Sequence, residues 1–199
     1  MPKSMTYKLC DDAAALLAAS RHAFGALSAE SRLAPDQSGL YGWWFKSPLG
    51  DAPLEGAFAC GGFRLLYVGV APERRADSAR PSRRTLRLRL RDHTRGTIAR
   101  STLRRSLACL LAPTLELKFG RTRSDKPALL SGGEARLSAW MAASASVGWV
   151  CAAKPWVVEE DLIARGPPLP LNIKGSTHPF AAELRRRRSR LAHGLKPGV

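Results

Sequence analysis

Two short runs constrain this chain more than anything else in it. Residues 39–45 read Gly-Leu-Tyr-Gly-Trp-Trp-Phe, and residues 64–70 read Arg-Leu-Leu-Tyr-Val-Gly-Val. The first is an aromatic strand candidate and the second a β-branched, apolar one. Each places a glycine two positions from a tyrosine, Gly39 with Tyr41 and Tyr67 with Gly69. The Gly/Pro-rich stretch between them, residues 46–62, predicts a loop or hairpin insertion. Residues 147–152 add a third short strand.

Helices account for the rest. An acidic start at Asp11-Asp12 and an Ala/Leu-rich pattern predict an amphipathic helix through residue 33, which Pro35 ends. Further helices are expected over 85–93, 101–111, 135–144, 155–165 and 179–192. Ser131 and Glu134 have capping-box spacing before one of them, and Pro155 suits the first turn of another. Residues 71–84, with two prolines and five arginines, form a basic connection. The fold class that follows is α+β, a small, mainly antiparallel three-stranded sheet flanked by helices. Residues 1–36 form an N-terminal helical extension, 37–174 a central domain, and 175–199 a basic C-terminal helix and tail.

Charge narrows the partners. Thirty-two Lys and Arg against sixteen Asp and Glu leave a formal charge of +16 over 199 residues, which favours a polyanion. The same charge also fits an Arg/Ala compositional bias on a solvated surface. Cys10, Cys60, Cys109 and Cys151 stand singly, without the C-x-x-C pairs of a zinc ribbon or finger. No apolar run approaches the roughly 18 residues of a membrane helix, and the N-terminus lacks a signal-peptide profile. A cytoplasmic protein with no membrane partner is expected.

Several residues have chemistry to offer. Glu159 and Glu160 are carboxylates suited to a hard cation, or simply acids complementing a helix dipole. They lie about 100° apart on a helix, so both are not expected to face one metal site. Tyr41 and Tyr67 are either half-buried packing residues or a pair of hydroxyls aimed at one phosphate. Arg87, Arg89 and Arg91 alternate with leucines, which taken alone suggests a strand. Asn172 fits a loop asparagine supporting a turn.

Taken in order, these elements resemble the GIY-YIG nuclease family. The resemblance rests on Gly39-Leu40-Tyr41, Tyr67-Val68-Gly69, Leu86-x-x-Arg89-Leu90-x-x-His93, Glu159-x-x-Leu162-Ile163 and Pro170-Leu171-Asn172. It covers residues 39–172, with longer connections between the two tyrosine strings and before the arginine helix than compact members have. Longer loops of this kind cost little free energy.

The resemblance implies a helix around Arg89 and His93 and selects Glu159 over Glu160 as the metal ligand. Tyr41 would activate water, which requires a phenol pKa far below about 10. Tyr67 would position the phosphate or the water, and Arg89 would bind the scissile phosphate and offset transition-state charge. His93 would orient a tyrosine or a phosphate. Gly39 and Gly69 would let backbone approach closely, and Asn172 would brace the site.

The expected function is a metal-dependent endonuclease hydrolysing DNA, with RNA not excluded, using one Mg²⁺ or Mn²⁺. The alternative is a nucleic-acid-binding protein that keeps the fold without turnover. In either case Arg87, Arg91, Arg104, Arg105, Arg185, Arg186, Arg187 and Arg188 are expected to contact phosphates.

Overall fold

The computed structural model describes residues 10–46, 48–72 and 84–193. Most of the expected basic connection, residues 73–83, lies outside the described residues, as does the tail from 194. The chain begins with helix α1 (Asp11–Ala18), then a two-residue strand β1 (His22–Ala23), a short helix α2 (Phe24–Ala29) and a 3₁₀ turn at Ser31–Leu33. The expected single helix to residue 33 is therefore broken after Ala18. Tertiary contacts outweigh the helical propensity there. Arg21 donates to the Cys60 carbonyl at 2.9 Å and lies over the rings of Trp44 and Phe63, while His22 stacks on Trp149 at 4.4 Å.

Strand β2 (Gly39–Phe45) runs where the aromatic run predicts it, followed by β3 (Ala59–Cys60) and β4 (Phe63–Ala71). Helices α3 (Leu86–Arg95) and α4 (Thr102–Leu111) come next. A separate hairpin, β5 (Phe119–Arg121) with β6 (Pro127–Leu129), precedes α5 (Gly133–Ser144). Strand β7 (Ala145–Cys151) leads to α6 (Pro155–Arg165) and α7 (Pro179–His193).

The main sheet has five strands rather than three, in the order β1-β7-β2-β4-β3, and every pairing is antiparallel. The two additional strands, β1 and β3, are two-residue edge pieces that carry no alternating pattern for a sequence reading to find. Strand β2 is central, paired on both sides, and all seven of its residues are buried. Both faces of the sheet are therefore covered.

Side chains alternate between the faces. Leu40 and Trp44 join Leu16 of α1 and Val158 and Leu162 of α6. Tyr41, Trp43 and Phe45 face the larger core, with Leu86 and Leu90 of α3, Leu103 and Leu107 of α4, and Leu184 of α7. The functional candidates lie on this second face.

The expected capping box is not formed. Gly132, in a left-handed conformation, occupies the cap of α5 without a side-chain bond. The Glu134 carboxylate turns instead to the Ile98 N–H and the Arg104 guanidinium. Among the described residues no helix is long and apolar enough to cross a membrane.

Candidate active site

Helix α3 settles the Leu/Arg alternation. The Thr85 hydroxyl accepts from the Leu88 N–H at 3.4 Å and caps the helix, while Leu86 and Leu90, one turn apart, are fully buried. The same spacing puts Arg89 and His93 on one face, both against the tyrosine of β2. The Arg89 Nε–H donates to the Tyr41 hydroxyl at 3.2 Å, and the His93 Nε2 lies 2.8 Å from that hydroxyl. The His93 Nδ1 lies 2.7 Å from the Ser101 hydroxyl, which also accepts from the Arg104 N–H and so caps α4.

A buried chain of polar groups thus runs from Arg89 through Tyr41 and His93 to Ser101. Burial holds the His93 pKa well below 6.5, and the Arg89, Arg104 and Arg84 guanidiniums push it the same way. The neutral ring can accept the Tyr41 proton at Nε2 while donating from Nδ1. His93 is fully buried, so its ring meets the Tyr41 hydroxyl and does not line the cleft.

Beside this chain opens a cleft of about 940 Å³. Tyr67 and Asn172 line it together with Arg89. The Asn172 side chain brackets β4, its Oδ1 accepting from the Val68 N–H at 2.9 Å and its Nδ2 donating to the Val68 carbonyl at 2.8 Å. This fixes the backbone next to Tyr67, whose hydroxyl lies 3.5 Å from that of Thr102. One wall is α6, with Trp156, Glu159, Glu160 and Ile163, and the other combines Thr102 and Ser106 of α4 with Arg185 and Arg188 of α7.

Glu159 is the fifth residue of α6, beyond its first turn, so complementing the helix dipole does not account for it. Both Glu159 and Glu160 line the cleft, against the expectation that only one faces it, Glu159 half-buried and Glu160 exposed. Together they offer hard carboxylate oxygens suited to a cation that keeps its waters and completes its shell with a substrate phosphate. Among the described residues no group of three His, Cys, Asp or Glu is gathered to hold a metal.

Other candidates sit elsewhere than expected. Tyr41 is fully buried and does not line the cleft; Tyr67 is the tyrosine that does. A Cβ on Gly39 would meet the Val150 carbonyl oxygen at 2.2 Å, so that glycine serves strand pairing. A Cβ on Gly69 would meet the Tyr41 hydroxyl at 2.5 Å. Arg104 is fully buried, its guanidinium bonded to Glu134 at 2.7 Å and to the His93 carbonyl and Ser138, which removes it from any nucleic-acid surface.

Arg105 is half-buried and donates to the Ile98 and Ala99 carbonyls. Arg87 donates to the Ala34 carbonyl, and Arg91 is exposed; neither lines the cleft. The four-arginine run divides by helical position. Arg185 and Arg188 line the cleft, while Arg186 pairs with Glu183 and Arg187 with both Glu183 and Asp51. Trp156, Thr102, Ser106 and Lys174, all at the cleft, carry no sequence signal of their own.

A family model described as the GIY-YIG catalytic domain matches residues 39–190. No curated protein and no solved structure matches the chain.

Proposed function

The chain belongs to the GIY-YIG catalytic-domain family, a nuclease family, and from that premise we propose that it is a metal-dependent endonuclease acting on DNA. The observation that carries this reading is that Arg89, Tyr67, Glu159 and Asn172, spread over more than eighty residues of sequence, line one solvent-open cleft. The formal charge of +16 supports a polyanionic substrate.

Glu159, with Glu160 beside it, is the proposed ligand of one Mg²⁺ or Mn²⁺. A divalent ion at such a site supplies charge neutralisation for the phosphate and a more acidic bound water. The chain's own residues do the rest. Arg89, held by its Nε–H bond to Tyr41 and lining the cleft, is the proposed ligand of the scissile phosphate, offsetting charge that grows in the transition state. Tyr67 positions the attacking water and is the group placed to take its proton.

Tyr41 acts through Arg89, holding the guanidinium from behind, and donates its own hydroxyl hydrogen bond to neutral His93. This revises the role given to Tyr41 by resemblance, because its hydroxyl is enclosed. Asn172 keeps the Tyr67 backbone in place through Val68.

The decisive experiment is nicking of supercoiled plasmid with Mg²⁺ or Mn²⁺, comparing the wild type with Glu159→Ala. Metal-dependent nicking that the variant loses, while it still folds and binds DNA, is the expected result. Nicking by the variant would remove Glu159 from the site. A folded wild type that binds DNA and cuts no substrate would favour the non-catalytic binding protein.

A further inference from the structure

We propose that the α4–α7 wall of the cleft is a second phosphate subsite, in which Arg188 and the Thr102 and Ser106 hydroxyls hold a backbone phosphate flanking the scissile one. This rests on the reading of the cleft as a phosphodiester-binding site. It assigns the wall opposite the carboxylates a ligand of its own.

Thr102 and Ser106 are one turn apart on α4, and both line the cleft. Ser106 is only 1% exposed, and among the described residues its hydroxyl has no hydrogen-bond partner. The hydroxyl lines the cleft and keeps its donor and acceptor capacity for a ligand oxygen.

Arg188 presents the complementary anomaly. It is half-buried in the same wall, and among the described residues no carboxylate pairs with it, whereas Arg186 and Arg187 on the same helix are both ion-paired. Its nearby groups do not neutralise it. Arg105 is a like charge, burial pushes the Cys109 thiol up to about 11, so it stays protonated, and the remaining neighbour is the Tyr67 phenol rather than a carboxylate. Burial first, and then Arg105, also draw the Arg188 pKa down. Two half-buried guanidiniums with neutral company form an incomplete electrostatic set. A phosphodiester completes it, accepting from the guanidinium fork and from both hydroxyls.

The test measures binding of a short fluorescein-labelled DNA duplex by anisotropy over a range of salt, in EDTA so that nothing is cut. Arg188→Gln should weaken binding about tenfold and flatten the plot of log K against log salt by about one ion. Arg186→Gln removes the same charge from the same helix and should leave the slope unchanged. Arg188→Lys should restore the slope but not the full affinity, and Ser106→Ala should weaken binding with the slope intact.

Added inorganic phosphate should compete in the wild type more than in Arg188→Gln. Equal slopes for the wild type and Arg188→Gln, or equal losses for Arg186→Gln and Arg188→Gln, would overturn the subsite. Because cutting is absent from the measurement, the subsite can stand where the nuclease reading fails, and the reverse.

Discussion

Tyr41 and Gly69 are partners across β2 and β4, and the Tyr41 ring occupies the space that any side chain on Gly69 would need. A methyl group there would sit 2.5 Å from the phenolic oxygen and 2.6 Å from Cζ. Neither a strand backbone nor a fully buried ring can yield cheaply. Gly69→Ala should cost about 1–3 kcal/mol of stability in urea unfolding. Its nicking rate should fall further than stability explains, because the displaced phenol no longer sets Arg89.

Arg89 gives the most direct test of geometry against charge. Lysine keeps the positive charge but has neither the Nε–H that reaches Tyr41 nor a planar fork for a phosphate. Arg89→Lys should lower kcat by roughly 10²–10³ while DNA affinity changes little. Single-turnover cleavage and anisotropy together separate the two effects.

Arg104 and Glu134 should behave as core residues. Removing the Glu134 carboxylate strands a guanidinium that is fully buried and leaves the Ile98 N–H without its acceptor. Glu134→Ala is expected to destabilise by about 3 kcal/mol or more, read from the denaturant midpoint. Because this pair touches no ligand, the salt slope of DNA binding should not move.

His93 predicts a pH dependence of stability. Its native pKa lies well below 6.5, so on acidification the unfolded chain takes up a proton that the native ring refuses. Stability is therefore full above pH 6.5 and falls as the pH drops below it, by up to about 1.4 kcal/mol per pH unit. The shifted carboxylates do not obscure this window. Asp51 and Glu183, lowered by Arg187, titrate below their ordinary 3.8 and 4.5. Replacing His93 with Gln should flatten the melting temperature between pH 6.5 and about pH 5.

The parts of this molecule that could be read in advance are those where a local pattern meets a local cause. Strands β2 and β4 announce themselves through apolar runs, and α6 through Pro155 in its first turn. The alternating leucines and arginines before His93 fit either element taken alone, because period two and period four share Leu86 and Leu90; the Thr85 cap and the packing of α3 decide for the expected helix.

Arginine roles were legible only in part: Arg89, Arg185 and Arg188 line the cleft, whereas others are claimed by distant partners. Arg104 looks like its neighbour Arg105 until Glu134, thirty residues on, claims it. Arg187 looks like Arg188 until Asp51, at a separation of 136 residues, pairs with it. Thr102 and Ser106 are ordinary helix residues whose role depends on which side of α4 meets the cleft.

One side-chain amide has a consequence outside chemistry. Beyond its two-residue pairing with β3, strand β4 would present bare polar backbone along the edge that borders the cleft. Asn172 engages the Val68 N–H and carbonyl, and the Leu171 N–H takes the Leu66 carbonyl. Two residues of loop thus stand in for a neighbouring strand. Along this stretch the edge of β4 lies beside the cleft with its Val68 and Leu66 backbone groups already taken, so a second copy finds no template there.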